Sequence, residues 1–263
     1  MRTILRLGQA VLLGAALLSA AAAIAGDDRA ITALGRLEPK DGVIRLAGPS
    51  MPAVVISQLL VAEGDPVEEG QTIAILDSHG LHKADVARLT AELRNAEREL
   101  QRVMRLYREG VASDSARDEA ETAAAVARAN LQRAQAELDL SVVRSPLTGQ
   151  VLQVHTRTGE RVGPEGIVEL GRTHEMYAIA EIYETDIGRI HVDQRATVTS
   201  PALRAPLQGT VERIGCKVGK MDVLSTDPAA KTDARVVEVE IRLDDGAAVA
   251  NLTNLQVEVE VIP

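Results

Sequence analysis

The sequence predicts a mainly β protein with an inserted α-helical hairpin. A small β-sandwich is built in two halves, split by an antiparallel coiled coil, and followed by a small β-barrel. Three observations predict this. Two glycine-punctuated segments share one pattern, in which Ile56, Leu59, Gly64 and Val67 align with Val151, Val154, Gly159 and Val162. Between them the apolar period lengthens from two to three and a half. After residue 170 the alternation returns to two, in several short runs separated by turns.

Composition narrows the function. The chain has 263 residues, 46% of them hydrophobic, yet only 1% aromatic: three Tyr, no Phe and no Trp. Cores must be made of Val, Ile, Leu and Ala, which suit narrow β-modules and tight helix pairs better than a roomy ligand pocket. The net charge is -9 and stacking platforms for bases are absent, so nucleic acid is not an expected partner.

Residues 1–25 read as a targeting segment. Arg2 and Arg6 precede an Ala-rich apolar run from Leu7 to Ala23, and Ala23-Ile24-Ala25 offers small residues at a cleavage site. The run also approaches spanning length, so an uncleaved inner-membrane anchor is the competing reading. Either one places the rest of the chain outside the cytoplasm. The single cysteine, Cys216, has no intrachain disulfide partner and reads as a small buried apolar residue.

Residues 26–45 read as a membrane-proximal or barrel strand, extended with a turn near Asp41-Gly42. The first sandwich half, 46–78, contains Glu63-Gly64-Asp65-Pro66-Val67, Gly70 and then Ile73-Ala74-Ile75-Leu76. Its short strands are broken by Gly and Pro turns, so it cannot bury its apolar face alone and needs the second half.

Residues 79–142 form the predicted hairpin. Val86, Leu89, Leu93, Ala96, Leu100, Val103 and Tyr107 step by three and four, a heptad seam that stops at Gly110. Ser113-Asp114-Ser115 supplies N-cap oxygens for a return helix with Ala120, Ala124, Ala127, Leu131, Ala134 and Leu138 in the same stepping. Large residues on one helix thus face mostly alanine on the other, over about 40 Å at 1.5 Å per residue. So alanine-rich a hairpin has little core of its own and is expected to lie beside copies of itself.

The second half, 143–172, holds Pro146, Gly149 and Gly159 as turn residues. Residues 173–263 carry alternating runs at 177–182, 196–199, 209–214, 236–241 and 257–261, with a short helix within 184–190. The irregular stretch with Asp222, Asp227 and Asp233 is a candidate transporter-contact loop.

This order resembles the periplasmic adaptor, or membrane fusion protein, family of HlyD type. Arg144-Ser145-Pro146-Leu147-Thr148-Gly149-Gln150-Val151 and Glu63-Gly64-Asp65-Pro66-Val67 resemble its two lipoyl-like half-motifs, which together make a barrel-sandwich hybrid. Gly35-Arg36-Leu37-Glu38-Pro39, the stretch from Asp222 to Val239, and Leu252-Thr253-Asn254-Leu255-Gln256-Val257 look more specifically like the DevB-type subunit of ABC exporters. The resemblance implies an inner-membrane ABC transporter (permease and ATPase) and an outer-membrane TolC-like channel as partners. It also implies self-assembly into a ring, a hexamer in that family, and a place in the periplasm associated with the inner membrane. The family's channel-contact tip has an Arg/Leu/Leu/Ser pattern. Leu106 and Ser113 keep its Leu-to-Ser spacing, with Arg102 and Arg105 nearby, although Gln101-Arg102 stands where the upstream Arg-Leu pair would fall. Leu106 equally fits an ordinary seam position, and Ser113 an ordinary helix cap.

Catalytic patterns are missing. An acyl carrier needs a lysine at the tight turn between the two halves, where helices stand instead, and Lys83 sits at the helix start. His79 and His82 share a helical face without a matching third ligand, so a solvated elbow is the simpler reading. No P-loop, G-x-G-x-x-G or G-x-S-x-G occurs, and no cofactor or enzymatic activity is expected. The expected function is a periplasmic adaptor in tripartite ABC-type export or efflux. The alternative is a non-transport envelope scaffold with the same architecture.

Overall fold

The computed structural model of the protein describes residues 29–48, 54–221 and 235–262. The expected signal segment and the loop bearing Asp222, Asp227 and Asp233 lie outside the described residues. In chain order the elements are β1 (Ile31–Leu46), β2 (Ile56–Leu59), β3 (Pro66–Val67), β4 (Thr72–Leu76), α1 (His79–Arg108) and α2 (Asp114–Leu140). There follow β5 (Val142–Arg144), β6 (Gly149–Val154), β7 (Val168–Tyr183), β8 (Arg195–Thr199), β9 (Leu207–Lys220), β10 (Arg235–Leu243) and β11 (Gln256–Val261). Contacts divide the described residues into two units. One is drawn from residues 29–37, 178–221, 235–245 and 255–262, the other from 38–48, 54–177 and 246–254. Strands β1 and β7 give residues to both. No helix among the described residues is long and apolar enough to cross a membrane.

The unit containing the sandwich packs β2–β4–β5 against β3–β6–β7. Its core is aliphatic, with Ile56, Ile73, Ile167, Val168 and Leu170 at 0% exposure. The repeat read from the sequence is a set of reciprocal backbone bonds. Gly64 N–H donates to the Val151 carbonyl at 2.8 Å, and Gly159 N–H donates to the Ile56 carbonyl at 2.8 Å. Val151 N–H reaches Asp65 at 2.9 Å, and Ile56 N–H reaches Glu160 at 3.0 Å. Even the turn caps correspond: the Asp65 carboxylate accepts from Ala62 N–H, and that of Glu160 from Arg157 N–H, each at 2.8 Å. Each half therefore fills the hydrogen-bonding groups of the other, which neither can do alone.

The hairpin belongs to the same unit. Leu89 and Val103 of α1 are buried, as are Ala120, Ala124 and Ala134 of α2, and the remaining seam positions are half-buried. Helix α1 starts at His79 with no side-chain cap at Ser78. Its base is tied to the end of α2 instead: His79 Nδ1 lies 2.8 Å from Ser141 Oγ.

In the other unit the order β1–β11–β8–β9–β10–β7, with β7 also pairing with β1, closes a barrel. Burial alternates as the sequence period requires, with Ile31, Ala33 and Leu37 inward on β1 and Val257, Val259 and Val261 inward on β11. A Cβ on Gly35 would stand 2.5 Å from the Ile179 carbonyl oxygen, so only glycine lets these two strands approach. Arg36 faces outward and bonds Glu181 at 3.4 Å and Glu238 at 2.9 Å, and the Glu181 side chain is only 1% exposed. The short helix expected within 184–190 is a 3-10 turn, Ile187–Arg189.

Several local expectations need correction. At Asp41-Gly42 strand β1 does not turn back. It continues through two residues with φ of 64° and 75°. Strand β7 runs unbroken from Val168 to Tyr183, across the expected boundary at 172. Residues Gly246–Asn254 belong with the sandwich unit rather than the barrel; Asn251 Oδ1 accepts from Gln150 Nε2 at 3.1 Å. Cys216 is exposed, not buried. It lies where the β9–β10 register jumps from Val218↔Val237 to Ile214↔Val239, a bulge that turns it out of the ladder.

Candidate functional site

The tip of the hairpin collects the predicted contact residues Arg102, Arg105, Leu106 and Ser113. Helix α1 stops because Gly110, at φ 74°, adopts a left-handed conformation. Val111 N–H then reaches back to the Leu106 carbonyl at 2.8 Å, and Gly110 N–H to that of Tyr107 at 3.0 Å. This is a Schellman ending, which satisfies carbonyls a helix end leaves open. Leu106 thus has two roles: its half-buried side chain sits at the end of the seam and its carbonyl closes the turn. Ser113 caps α2, its Oγ accepting from Ala116 N–H at 3.2 Å.

A cluster missed in the sequence locks this turn. Tyr107 Oη donates to Asp114 Oδ1 at 2.8 Å, joining the last turn of α1 to the first of α2. The hydrogen bond to the Asp114 carboxylate raises the Tyr107 phenol above its ordinary pKa. The Arg117 guanidinium lies 4.9 Å over the Tyr107 ring and pairs with Asp118 at 2.8 Å. One signal was available: Tyr107 is one of only three aromatic residues in the chain, and it stands at the tip.

The surface this lock presents is mixed. Val111 is 70% exposed. Arg105 is exposed, and Arg102 is held by Glu99 one turn back, whose carboxyl it draws below the usual range. The tip face thus places an apolar point beside cations on a preformed turn.

The other predicted residues fall within the sandwich. Gly64, Gly70 and Gly159 have φ of 88°, 81° and 87° and serve as true turn glycines. Pro66 opens β3 and pairs with Gln150. Pro146 is exposed in the bend before β6. Gly149 is the first residue of β6 rather than a turn residue. It is needed for room: an added Cβ would meet the Gly171 carbonyl oxygen at 2.3 Å. Among the described residues no group of three or more His, Cys, Asp and Glu could hold a metal ion.

No family model matches the chain. It is 24% identical over 216 residues to an uncharacterized protein of Haemophilus influenzae, covering 81% of this chain and 52% of that one. It is 25% identical over 193 residues to the cation efflux system protein CzcB of an Alcaligenes species, covering 68% of this chain and 36% of that one. The chain thus spans about half the length of the first relative and about a third of the second. Among solved structures it is similar to a MacA-MexA chimera carrying the Pseudomonas aeruginosa MexA alpha-hairpin domain. The TM-score is 0.73 at 19% identity, over 89% of this chain and 79% of that one. It is also similar to the membrane fusion protein Spr0693 of Streptococcus pneumoniae R6, with TM-score 0.65 at 20% identity, over 88% of this chain and 98% of that one. The fold is that of the membrane fusion proteins: a β-sandwich split by a helical hairpin, with a β-barrel beside it in the chain.

Proposed function

We propose that the chain is the periplasmic adaptor of a tripartite export system, linking an inner-membrane transporter to an outer-membrane TolC-like channel. The observation that carries this reading is the hairpin itself. An insertion that buries its seam on alanine, contributes nothing to the sandwich core and ends in a locked, partly apolar turn is built to reach another molecule. Its role is architectural. Copies gather side by side in a ring, a hexamer by family likeness, whose hairpin tips engage the channel through Leu106, Val111, Ser113 and the nearby Arg102 and Arg105. The barrel unit and the loop with Asp222, Asp227 and Asp233 face the transporter. The protein works in the periplasm, associated with the inner membrane.

The motifs at Gly35 to Pro39 and at Leu252 to Val257 favour an ABC transporter of the kind served by DevB-type subunits. The likeness to a relative named for cation efflux favours a second reading, in which the transporter is a cation pump. Identifying the membrane proteins that copurify with the chain separates the two.

A photoreactive residue at Ser113 or Val111, in intact cells, tests the central claim. The expected adduct is to an outer-membrane channel. Adducts only to the chain itself, or none, would replace the adaptor with an envelope scaffold. Leu106→Asp and Ser113→Arg are expected to stop export with the fold retained, since losing the Ser113 cap costs only about 1 kcal/mol. Export persisting in both variants would reject the tip assignment.

A further inference from the structure

The buried seam of the hairpin stops short of its tip. On α1 the last buried residue is Val103, and on α2 the first is Ala120. From residue 104 to residue 119 every side chain is half-buried or exposed. At 1.5 Å per residue, roughly 8 Å of each helix lies beyond the buried seam. Helices in water owe most of their order to packing of an apolar face, and here that packing has run out.

The backbone of the turn divides in two. Residues 109–112 are fastened to α1. Glu109 N–H donates to the Arg105 carbonyl at 3.2 Å, Gly110 N–H to that of Tyr107 at 3.0 Å, and Val111 and Ala112 N–H both to that of Leu106, at 2.8 and 3.2 Å. Ser113 is fastened to α2. Its carbonyl accepts from Arg117 N–H at 3.2 Å, and its Oγ from Ala116 N–H at 3.2 Å. Among the described residues no backbone hydrogen bond spans the joint between Ala112 and Ser113. Side chains alone do so. Two hydrogen bonds among the described residues join α1 to α2: Arg128 to Glu97 at 2.9 Å, midway along the hairpin, and Tyr107 to Asp114 at 2.8 Å. Only the second lies beyond the end of the seam. Arg117 closes the set, with its guanidinium 4.9 Å over the Tyr107 ring and 3.5 Å from the carboxylate that the phenol bonds.

We propose that Tyr107 is a positioning residue for channel docking. Its hydroxyl holds the α1 half of the tip, with Arg105, Leu106 and Val111, in register with the α2 half that carries Ser113. A docking face made of both halves needs that register, because parts that move independently must be ordered on binding, at a cost in affinity. The seam requires only the ring of residue 107; the hydroxyl is the part that reaches across. Asp114 is exposed, so the bond competes with water and is worth one net hydrogen bond, roughly a 3–10-fold bias towards the locked turn. The inference rests on the adaptor reading for the identity of the docking partner.

The test uses the full chain. Tyr107→Phe keeps the ring and the Arg117 stack and removes only the hydroxyl. Asp114→Asn keeps an acceptor oxygen and is the conservative control. Hydrogen exchange of the purified chain reads the amides of 110–118, and a photoreactive residue at Val111 in intact cells reads docking. In Tyr107→Phe, exchange at the tip should rise roughly 3–10-fold and the channel adduct should fall by a like factor. Its Tm, and its exchange over 86–103, should match those of the unaltered chain. Asp114→Asn should leave both readouts close to the unaltered chain. Unchanged tip exchange in Tyr107→Phe would show that the hydroxyl holds nothing. Faster exchange with a full yield of adduct would show that docking does not need the lock. Either result overturns the proposal, as would an Asp114→Asn variant that behaves like Tyr107→Phe, or a lowered Tm with faster exchange along the whole seam, the mark of a general packing role. No channel adduct from the unaltered chain would sink the adaptor reading and this inference with it, a failure visible before any variant is made.

Discussion

Replacing Gly149 by alanine separates two different reasons for needing glycine. An added Cβ would lie 2.3 Å from the Gly171 carbonyl oxygen, 2.9 Å from its carbon and 2.7 Å from Leu147 Cδ1. Leu147 is itself buried. The other two atoms are backbone of β7, the strand to which β6 is bonded through Gln150↔Gly171, so relief requires the ladder to move. Overpacking costs about 1–3 kcal/mol, and a clash with backbone belongs at the upper end, about 3 kcal/mol. Gly64 and Gly159 are the contrast. Nothing lies within 4 Å of a Cβ at either, and the penalty is the left-handed φ alone. That penalty is about 1–2 kcal/mol, and it should be the same at both because their bonds are reciprocal. At about 2–4 °C per kcal/mol for a unit of this size, Gly149→Ala lowers Tm by about 6–12 °C. Gly64→Ala and Gly159→Ala lower it by about 2–8 °C each, by matching amounts. Thermal unfolding followed by the helical circular dichroism signal reads the sandwich unit, which holds both helices. A Gly149→Ala loss no larger than that of Gly64→Ala would refute the close-approach argument. Unequal losses at Gly64 and Gly159 would refute the equivalence of the halves.

Ala124→Leu should cost about 1–3 kcal/mol, since Ala124 is 2% exposed and faces large residues of α1; an unchanged Tm would mean that the helices are not in close contact. Arg36→Met should destabilise the barrel by about 3 kcal/mol, because it strips a partner from the buried Glu181 carboxylate, whereas Glu238→Ala should cost under about 1 kcal/mol. Equal shifts in urea midpoint would refute that difference. The hydrogen bond from Lys40 holds the Glu175 carboxyl below its ordinary pKa. The pair therefore stabilises the folded chain above the usual carboxylate range and stops doing so as the pH falls through the lowered value. Both groups are about two-fifths exposed, so Lys40→Met should lower stability by under about 1 kcal/mol near pH 7, a deficit that shrinks as the pH falls through the lowered value. A deficit that persists in acid would assign the effect to packing of the lysine stem.

Periodicity made the seam and the repeat legible. Leu89, Val103, Ala120, Ala124 and Ala134 are buried where a three-and-a-half-residue step puts them. The long strands were not legible, because their middles are polar. The sequence reading places a domain boundary at 172, yet β7 runs through it on ladder hydrogen bonds, which carry no side-chain signature. The charges there are met from β1, with Arg172 on Asp41 at 2.8 Å and Glu175 on Lys40 at 2.7 Å. Glycine misled in a related way. At Gly64 it marks positive φ, at Gly149 it marks the approach of another strand, and the one-letter code is the same for both. At the tip the step pattern assigned Tyr107 to the seam, and only the fold shows that its hydroxyl also crosses to Asp114.

The reciprocal halves also explain why so long an insertion is tolerated. Helix α1 leaves from the end of β4 and α2 returns into β5, and these two strands are antiparallel neighbours, Ile75 opposite Val142. The hairpin therefore occupies the place of a simple β-turn. Leu76 N–H donates to the Ser141 carbonyl at 3.0 Å, which holds the entering and leaving chains together just as such a turn would. Because the two helices close on each other, the sandwich meets only that narrow junction whatever the length beyond it. The entropy of a long flexible loop never arises, since the inserted residues are ordered by their own seam. Of the bonds that define the sandwich, Gly159 to Ile56 adjoins the junction through the Ile56↔Leu76 pair, whereas Gly64 to Val151 involves neither β4 nor β5. Selection on the length and tip of the hairpin is thereby uncoupled from selection on the core that carries it, which is the property a part spanning a variable gap requires.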